Sequence, residues 1–459
     1  MAWYPLRRAL CAIACSMLTA AAAPVAAQTD LSALFAPAAA AEVAAVAQDW
    51  AGRLPTPTNW KVVRAGVDSA TGYAVQAVSH EIEGFTHYGG LRYPRLWTQQ
   101  GRFPVLVLLH GGFDGLTLDF LVNFDKDFPG TAFADSFLVV APTFRSEPLN
   151  GGQPLGIRTS GGEPSPFDRD CDDTMALLTA VLLNIPQADP GYVVVLGGSR
   201  GGNVAYHLAL RDPRVRRTAI RYGPTDFFAD HVHLGAQERL DAGDTGDSLG
   251  REVADRIAGP WLAGQITLEQ ARQALISWCV LPHLRVETPL QIHHGDRDTV
   301  VPPLHSARAD SVMQGKGATP PQFAYYTYPQ GSHDPDSLDG HEQLVLDYLL
   351  ELPALTEVGA AIPRPAALKG WPNPFAGGAT LALTGPGADG KTLAEPVAVE
   401  IRDARGRIVR RLELEPGGET PSRNWDGRDA AGRDVAAGVY FAVLPGRRGA
   451  APLRLVRLR

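Results

Sequence analysis

From Phe103 onward the chain repeats short, continuous apolar runs, at Pro104–Leu109, Phe137–Ala141, Tyr192–Leu196, Thr218–Tyr222, Leu290–His293 and Phe323–Tyr328. They are rich in β-branched residues, and most are separated by stretches with helical periodicity. Continuous apolar strands alternating with helices predict a mostly parallel sheet covered on both faces, an α/β fold. Helices are expected at Asp172–Leu183, with Asp172 and Asp173 in the first turn, and at Asn203–Leu210, His305–Met313 and His341–Leu350. Ahead of this region a short Ala-rich helix is expected near Ala38–Ala51. The stretch Trp60–Trp97 alternates apolar and polar residues between turn glycines, as antiparallel strands do. The interval 229–282 is longer than an ordinary crossover and holds helical patterns at Ser248–Ile257 and Leu268–Trp278, which predicts an inserted helical cap.

The pattern changes twice more, at the two ends. Residues 353–369 are rich in Ala and Pro without periodicity and read as a linker, placing one large domain over 28–352. Beyond it, over 370–459, turn-separated strands at Val397–Ile401, Arg407–Leu412 and Gly438–Ala442 predict a small β-sandwich. Residues 1–27 have a basic start (Arg7, Arg8), an apolar stretch and the small-residue site Val25-Ala26-Ala27, the layout of a secretory signal peptide. Cleavage is expected after Ala27. No segment has the ~18 apolar residues of a membrane span. With Cys11 and Cys15 inside the signal, Cys171 and Cys279 remain, either as a disulfide or as two separately buried thiols.

The candidate chemistry starts at the third apolar run. Tyr192–Leu196 stops at Gly197-Gly198-Ser199-Arg200-Gly201-Gly202 and the helical pattern resumes at Asn203, the strand-turn-helix layout of a nucleophile elbow. Ser199 is the candidate nucleophile, held in a strained turn that needs glycines beside it. A serine hydroxyl is a weak nucleophile near neutral pH and requires a base, itself oriented by a carboxylate. The run at Leu290–His293 leads into His294-Gly-Asp-Arg-Asp298-Thr-Val-Val-Pro302, with Asp298 the candidate acid and Asp296 the fallback. The next run leads into Gly331-Ser-His333, with His333 the candidate base. Each follows its own predicted strand, so the sheet edge would gather all three. For the oxyanion formed on attack, the backbone N–H of Arg200 is one candidate donor. The loop His110-Gly111-Gly112-Phe113 supplies the second, from Gly112 or Phe113.

Charge and composition narrow the partners. A formal net charge of −7, spread along the chain, offers no basic surface for nucleic acid. The chemistry calls for no cofactor and no metal. Asp230-His231-Val232-His233 has a ligand-like spacing without a second ligand cluster. Asp168-Arg-Asp-Cys-Asp-Asp173 lacks the glycine and closing glutamate of a calcium loop and is better explained by helix capping.

Through these motifs, residues from about Trp60 to Leu352 resemble the catalytic domain of the prolyl oligopeptidase family and the neighbouring dienelactone-hydrolase and acetyl-esterase groups. The resemblance implies an α/β-hydrolase fold and a serine hydrolase that cleaves peptide or carboxylic ester bonds of small-molecule substrates. Two departures keep open a carboxylesterase, such as an acetyl or feruloyl esterase, without peptidase activity. Arg200 stands where that family often has tyrosine, and too few residues precede His110 to form a four-bladed propeller. A surface binding protein on an idle hydrolase scaffold is the reading from another class. Trp371-Pro-Asn-Pro-Phe375, Asp403-Ala-Arg-Gly-Arg407, Asn424-Trp-Asp-Gly-Arg-Asp429 and Gly438-Val-Tyr-Phe441 resemble the immunoglobulin-like domain of flagellar hook-capping proteins and the sorting domains of secreted bacterial proteins. That likeness implies export, with docking or retention at the cell surface.

Overall fold

The computed structural model describes residues 28–350 except 54, 98–100, 127, 129, 131–132, 134–135 and 153–155, and residues 367–458 except 372–374, 385–395, 404–406, 415–420 and 446–452. The expected signal peptide (1–27) and most of the expected linker lie outside the described residues.

In chain order the first region comprises α1 (Ala40–Gly52), β1 (Thr58–Val67), β2 (Ala74–Ile82), β3 (Phe85–Arg92), β4 (Phe103–Leu109), β5 (Leu116–Thr117), α2 (Leu118–Asn123), β6 (Leu138–Pro142), β7 (Pro148–Asn150) and β8 (Ile157–Thr159). It continues with α3 (Asp168–Asn184), β9 (Ala188–Gly198), α4 (Arg200–Arg211), β10 (Val215–Arg221), α5 (Asp230–Ala242), α6 (Ser248–Val253), α7 (Gly259–Leu262) and α8 (Leu268–Trp278). It closes with β11 (Leu290–Gly295), α9 (Leu304–Gly315), β12 (Phe323–Tyr328) and α10 (His341–Leu350).

One large sheet has the order β1-β2-β3-β6-β4-β9-β10-β11-β12. Pairing is antiparallel from β1 through β3 to β6 and parallel from β6 to β12. The six continuous apolar runs are the six parallel strands. Every residue of β4 and β6 is buried, as strands covered on both faces must be. Chain order reverses at β4, so the loops leaving β4 and β9 open a crevice at their carboxyl ends. This is an α/β-hydrolase fold. Separate apolar clusters fill its two faces, one around Val107, Val195 and Ile292, the other around Leu108, Leu196 and Leu349.

Helix α3 begins four residues earlier than its apolar pattern suggests, so Asp172 and Asp173 fall in the second turn, and Asp168 and Asp170 occupy the first. Its carboxylates are matched by arginines. Asp168 and Asp172 pair with Arg53 and Arg211, and Asp173 pairs with Arg145 at 2.6 Å. Cys171 and Cys279 are both free and buried. Burial pushes the Cys171 thiol up to about 12 and raises that of Cys279 as well, so neither is ionised at neutral pH.

Helices α5 to α8 form the expected cap with its own apolar core of Val232, Leu249, Val253, Ile257, Leu275 and Trp278. The pattern at Ser248–Ile257 is α-helical only to Val253, and a π-turn over Ala254–Ala258 takes its place. Residues before α1 belong to this core, since Leu31 and Leu34 are buried in it. Arg272 of α8 fastens them. Its guanidinium donates to the carbonyls of Ala33, Leu34, Ala36 and Pro37 and to the Glu42 carboxylate at 2.6 and 2.8 Å.

The C-terminal region holds two antiparallel sheets. One contains β13 (Ala367–Trp371), β14 (Ala379–Thr384) and β17 (Ser422–Trp425), so the expected linker gives way to strand at Ala367. The other contains β15 (Val397–Asp403), β16 (Ile408–Leu414), β18 (Gly438–Val443) and β19 (Leu453–Arg457). Three sequence motifs meet in their core, where the fully buried Trp425 packs 5.3 Å from both Phe375 and Tyr440.

Arg272→Ala should release the Glu42 carboxylate and the four carbonyls to water, costing about 1–2 kcal/mol of stability in urea unfolding. Limited proteolysis should then cut within residues 29–42 before the rest of the domain; unchanged resistance would contradict the fastening role.

Candidate active site

Strand β9 ends at Gly198, helix α4 starts at Arg200, and Ser199 between them has φ 55° and ψ −126°. The residues two places before and after it must be glycines. A Cβ at Gly197 would stand 2.2 Å from the Gly201 carbonyl oxygen, and one at Gly201 would stand 2.3 Å from that of Leu109. Backbone bonds finish the turn, with Ser199 N–H donating to Arg221 and the N–H groups of Gly202 and Asn203 donating to the Ser199 carbonyl.

The structure brings Ser199, His333 and Asp298 together. His333 Nε2 lies 2.9 Å from Ser199 Oγ, and His333 Nδ1 lies 2.7 Å from Asp298 Oδ2. A carboxylate only accepts, so Nδ1 carries the proton and Nε2 is left to accept from the serine hydroxyl. The His333 ring packs against Tyr222 with centroids 4.3 Å apart. Asp298 Oδ1 accepts from the N–H groups of Val300 and Val301, each at 2.9 Å. Burial pushes the Asp298 carboxyl up, but hydrogen bonds from His294, His333 and Val301 outweigh it and hold the group well below the usual carboxylate range. The fallback acid, Asp296, is exposed and accepts from the Gln330 N–H at 2.7 Å instead.

His294 is a support for the acid. Its Nε2 donates to the Val301 carbonyl at 2.8 Å and approaches Asp298 Oδ2 at 3.3 Å, while Nδ1 accepts from the Ser306 hydroxyl at 2.6 Å. His293 bonds Tyr328 and Gln291 within the sheet interior.

The loop after β4 lies against the serine. A Cβ at Gly111 would stand 3.0 Å from that of Ser199, and Gly112 takes a positive φ of 67°. Phe113 is partly exposed at 39%. The Arg200 side chain turns back under this loop, where Nη1 donates to the Gly112 carbonyl at 3.0 Å and to Glu147, and Nε and Nη2 grip Asp170 at 2.8 and 3.0 Å. The elbow motif points to the backbone of Arg200 alone. Its side-chain partners lie 30 and 53 residues away in sequence, and no motif spacing announces such pairs. His110 is buried beside Phe144, and burial together with the Arg200 charge pushes its ring down to about 4, so it is neutral near pH 7.

The ligand-like His pair on α5 is engaged elsewhere. His231 bonds Asp247 and meets His305 at 3.1 Å, and His233 stacks on Phe35. Among the described residues no three His, Cys, Asp or Glu side chains are grouped to hold a metal ion. No described helix is long and apolar enough to cross a membrane.

Comparison with known proteins separates the two regions. Residues 377–446 match the family model described as the FlgD Ig-like domain. The C-terminal region is thus an immunoglobulin-like domain of this kind. No curated protein sequence matches the chain. Among solved structures, acetyl xylan esterase 1 from a Thermoanaerobacterium species is 18% identical, with a TM-score of 0.46, over 71% of this chain and 99% of that one. The acetyl xylan esterase from a Paenibacillus species is 16% identical, with a TM-score of 0.43, over 70% and 99%. A Pyrococcus horikoshii acylaminoacyl peptidase is 12% identical, with a TM-score of 0.40, over 65% of this chain and half (50%) of that chain.

The depressed Asp298 carboxyl has a pH signature. It adds stability that is complete above pH about 4 and is lost as pH falls from there through the folded-state value. Asp298→Asn should therefore lose less stability than the parent between about pH 5 and pH 2, read as urea midpoints. Equal losses in the two proteins would contradict the assignment.

Proposed function

We propose that the protein is a serine hydrolase that cleaves carboxylic ester or peptide bonds through an acyl-enzyme on Ser199. One observation carries the reading: the unbroken chain of hydrogen bonds from Ser199 through His333 to Asp298, built at the tips of β9, β12 and β11. In that geometry His333 Nε2 takes the hydroxyl proton as Ser199 Oγ attacks the carbonyl carbon. The same nitrogen then returns the proton to the leaving alcohol or amine. Water repeats the sequence on the acyl-serine, releasing the acid and restoring Ser199. Asp298 stays ionised throughout and steadies the imidazolium. The backbone N–H of Arg200 and one from Gly112 or Phe113 receive the oxyanion.

The signal-like layout of residues 1–27 and the immunoglobulin-like domain favour a secreted or cell-surface protein, with the C-terminal domain as the docking element. A scaffold retained for binding alone has no use for a serine, base and acid held in register, which favours turnover.

A fluorophosphonate probe should label the parent protein at Ser199, with labelling abolished in Ser199→Ala and reduced by at least about 100-fold in His333→Ala. Equal labelling of Ser199→Ala would end the reading. A side-by-side screen of short acyl nitrophenyl esters and aminoacyl or prolyl amides then assigns the bond cleaved: turnover of esters alone removes the peptidase activity.

A further inference from the structure

The residue after the proposed nucleophile is a buried arginine, 5% exposed, whose guanidinium is enclosed by two carboxylates, a carbonyl and two aromatic rings. It donates to both oxygens of Asp170, to Glu147 and to the Gly112 carbonyl, and the rings of Phe113 and Phe144 cover it at 4.5 and 4.8 Å. Burying a guanidinium with its counter-ions contributes little net stability, because desolvation offsets the attraction. What the fork does supply is direction, five donors fixed in one plane. Asp170 is itself fixed, because it caps α3 by accepting from the Phe167 N–H at 2.8 Å. The base of the fork is therefore tied to a helix of the body, and its tip to the loop over Ser199.

The bond to Gly112 has a stereochemical consequence. The Gly112–Phe113 peptide is trans, and in a planar trans peptide the C=O and N–H point to opposite sides. Drawing the Gly112 carbonyl towards Arg200 turns the Phe113 N–H away from the guanidinium. Gly111, in the same loop, already rests against Ser199.

We propose that Arg200 is a positioning residue: its side chain, clamped by Asp170 and Glu147, pins the Gly112 carbonyl so that the Phe113 N–H serves as the second oxyanion donor. One residue thereby governs both halves of the oxyanion site, its own backbone N–H from the elbow and the Phe113 N–H through the side chain. Glu147 Oε2 and His110 Nε2, 3.7 Å apart, complete the buried ring of polar groups beneath the loop. The inference rests on the serine hydrolase reading.

The test uses the full chain with Arg200→Lys, which keeps the charge without the fork, and Arg200→Met, which removes both. Titrating reactive serines with the fluorophosphonate gives turnover per competent site, so misfolded protein does not enter. With a nitrophenyl acyl ester, kcat per site should fall roughly 100-fold in Arg200→Met and roughly 10-fold in Arg200→Lys, with KM within about threefold of the parent. Affinity for an alkyl boronic acid, whose tetrahedral adduct presents an oxygen to the same donors, should weaken in step with kcat. Should Arg200→Met fail to fold, the lysine variant decides. A kcat per site within about twofold of the parent, or a lower kcat with unchanged boronate affinity, overturns the proposal. A parent protein that neither reacts with the probe nor turns over ester or amide overturns the hydrolase reading itself, a failure distinguishable from that of Arg200.

Discussion

Ser199 occupies a backbone conformation that a side-chain-bearing residue keeps only when its surroundings leave no other. The constraint comes from backbone meeting backbone. Gly197 faces the carbonyl of Gly201, Gly201 faces those of Leu109 and His110, and Gly202 lies against Gly223, all closer than any Cβ allows. These contacts knit β9, the start of α4, the end of β4 and the segment after β10 into one node. Because the node is made of main chain, a side-chain rearrangement cannot relax it.

The same node explains why chemistry collects where it does. Strand order reverses beside β4, so the sheet edge carrying Ser199 also receives the loops leaving β4, β11 and β12. Asp298 is held by two N–H groups of its own loop, and His333 is held between Asp298 and Tyr222. Beneath the loop after β4, the carboxylates of α3 alternate with arginines drawn from α1's end, α4 and the segment after β6. That lattice joins the cap-side helix α3 to the elbow through Arg200.

Much of this is legible in the sequence. The parallel strands announced themselves because residues such as Val105–Leu109 and Val193–Leu196 must be apolar on both faces. The elbow and the loops of Asp298 and His333 were legible because backbone geometry dictates their glycines and each lies directly after a strand. The carboxylates of Asp168–Asp173 carried no such signal. Their partners Arg53, Arg145, Arg200 and Arg211 are scattered along the chain, and a long-range ion pair leaves no periodic trace. The anchoring of residues 33–37 by Arg272 was hidden for the same reason, as was the break of the cap helix into a π-turn at Ala254. Two cysteines in the sequence left a disulfide open. Their separate burial, one in the body core and one in the cap core, closes it.

The most direct test of a nucleophilic Ser199 is to trap what it makes. The protein is mixed with an excess of a nitrophenyl acyl ester, quenched in acid within the first turnover, and digested for mass spectrometry. An acyl mass increment on the peptide containing Ser199, absent after a long chase, is the expected result. Ester turnover with no increment there, or with the increment on another residue, would contradict it.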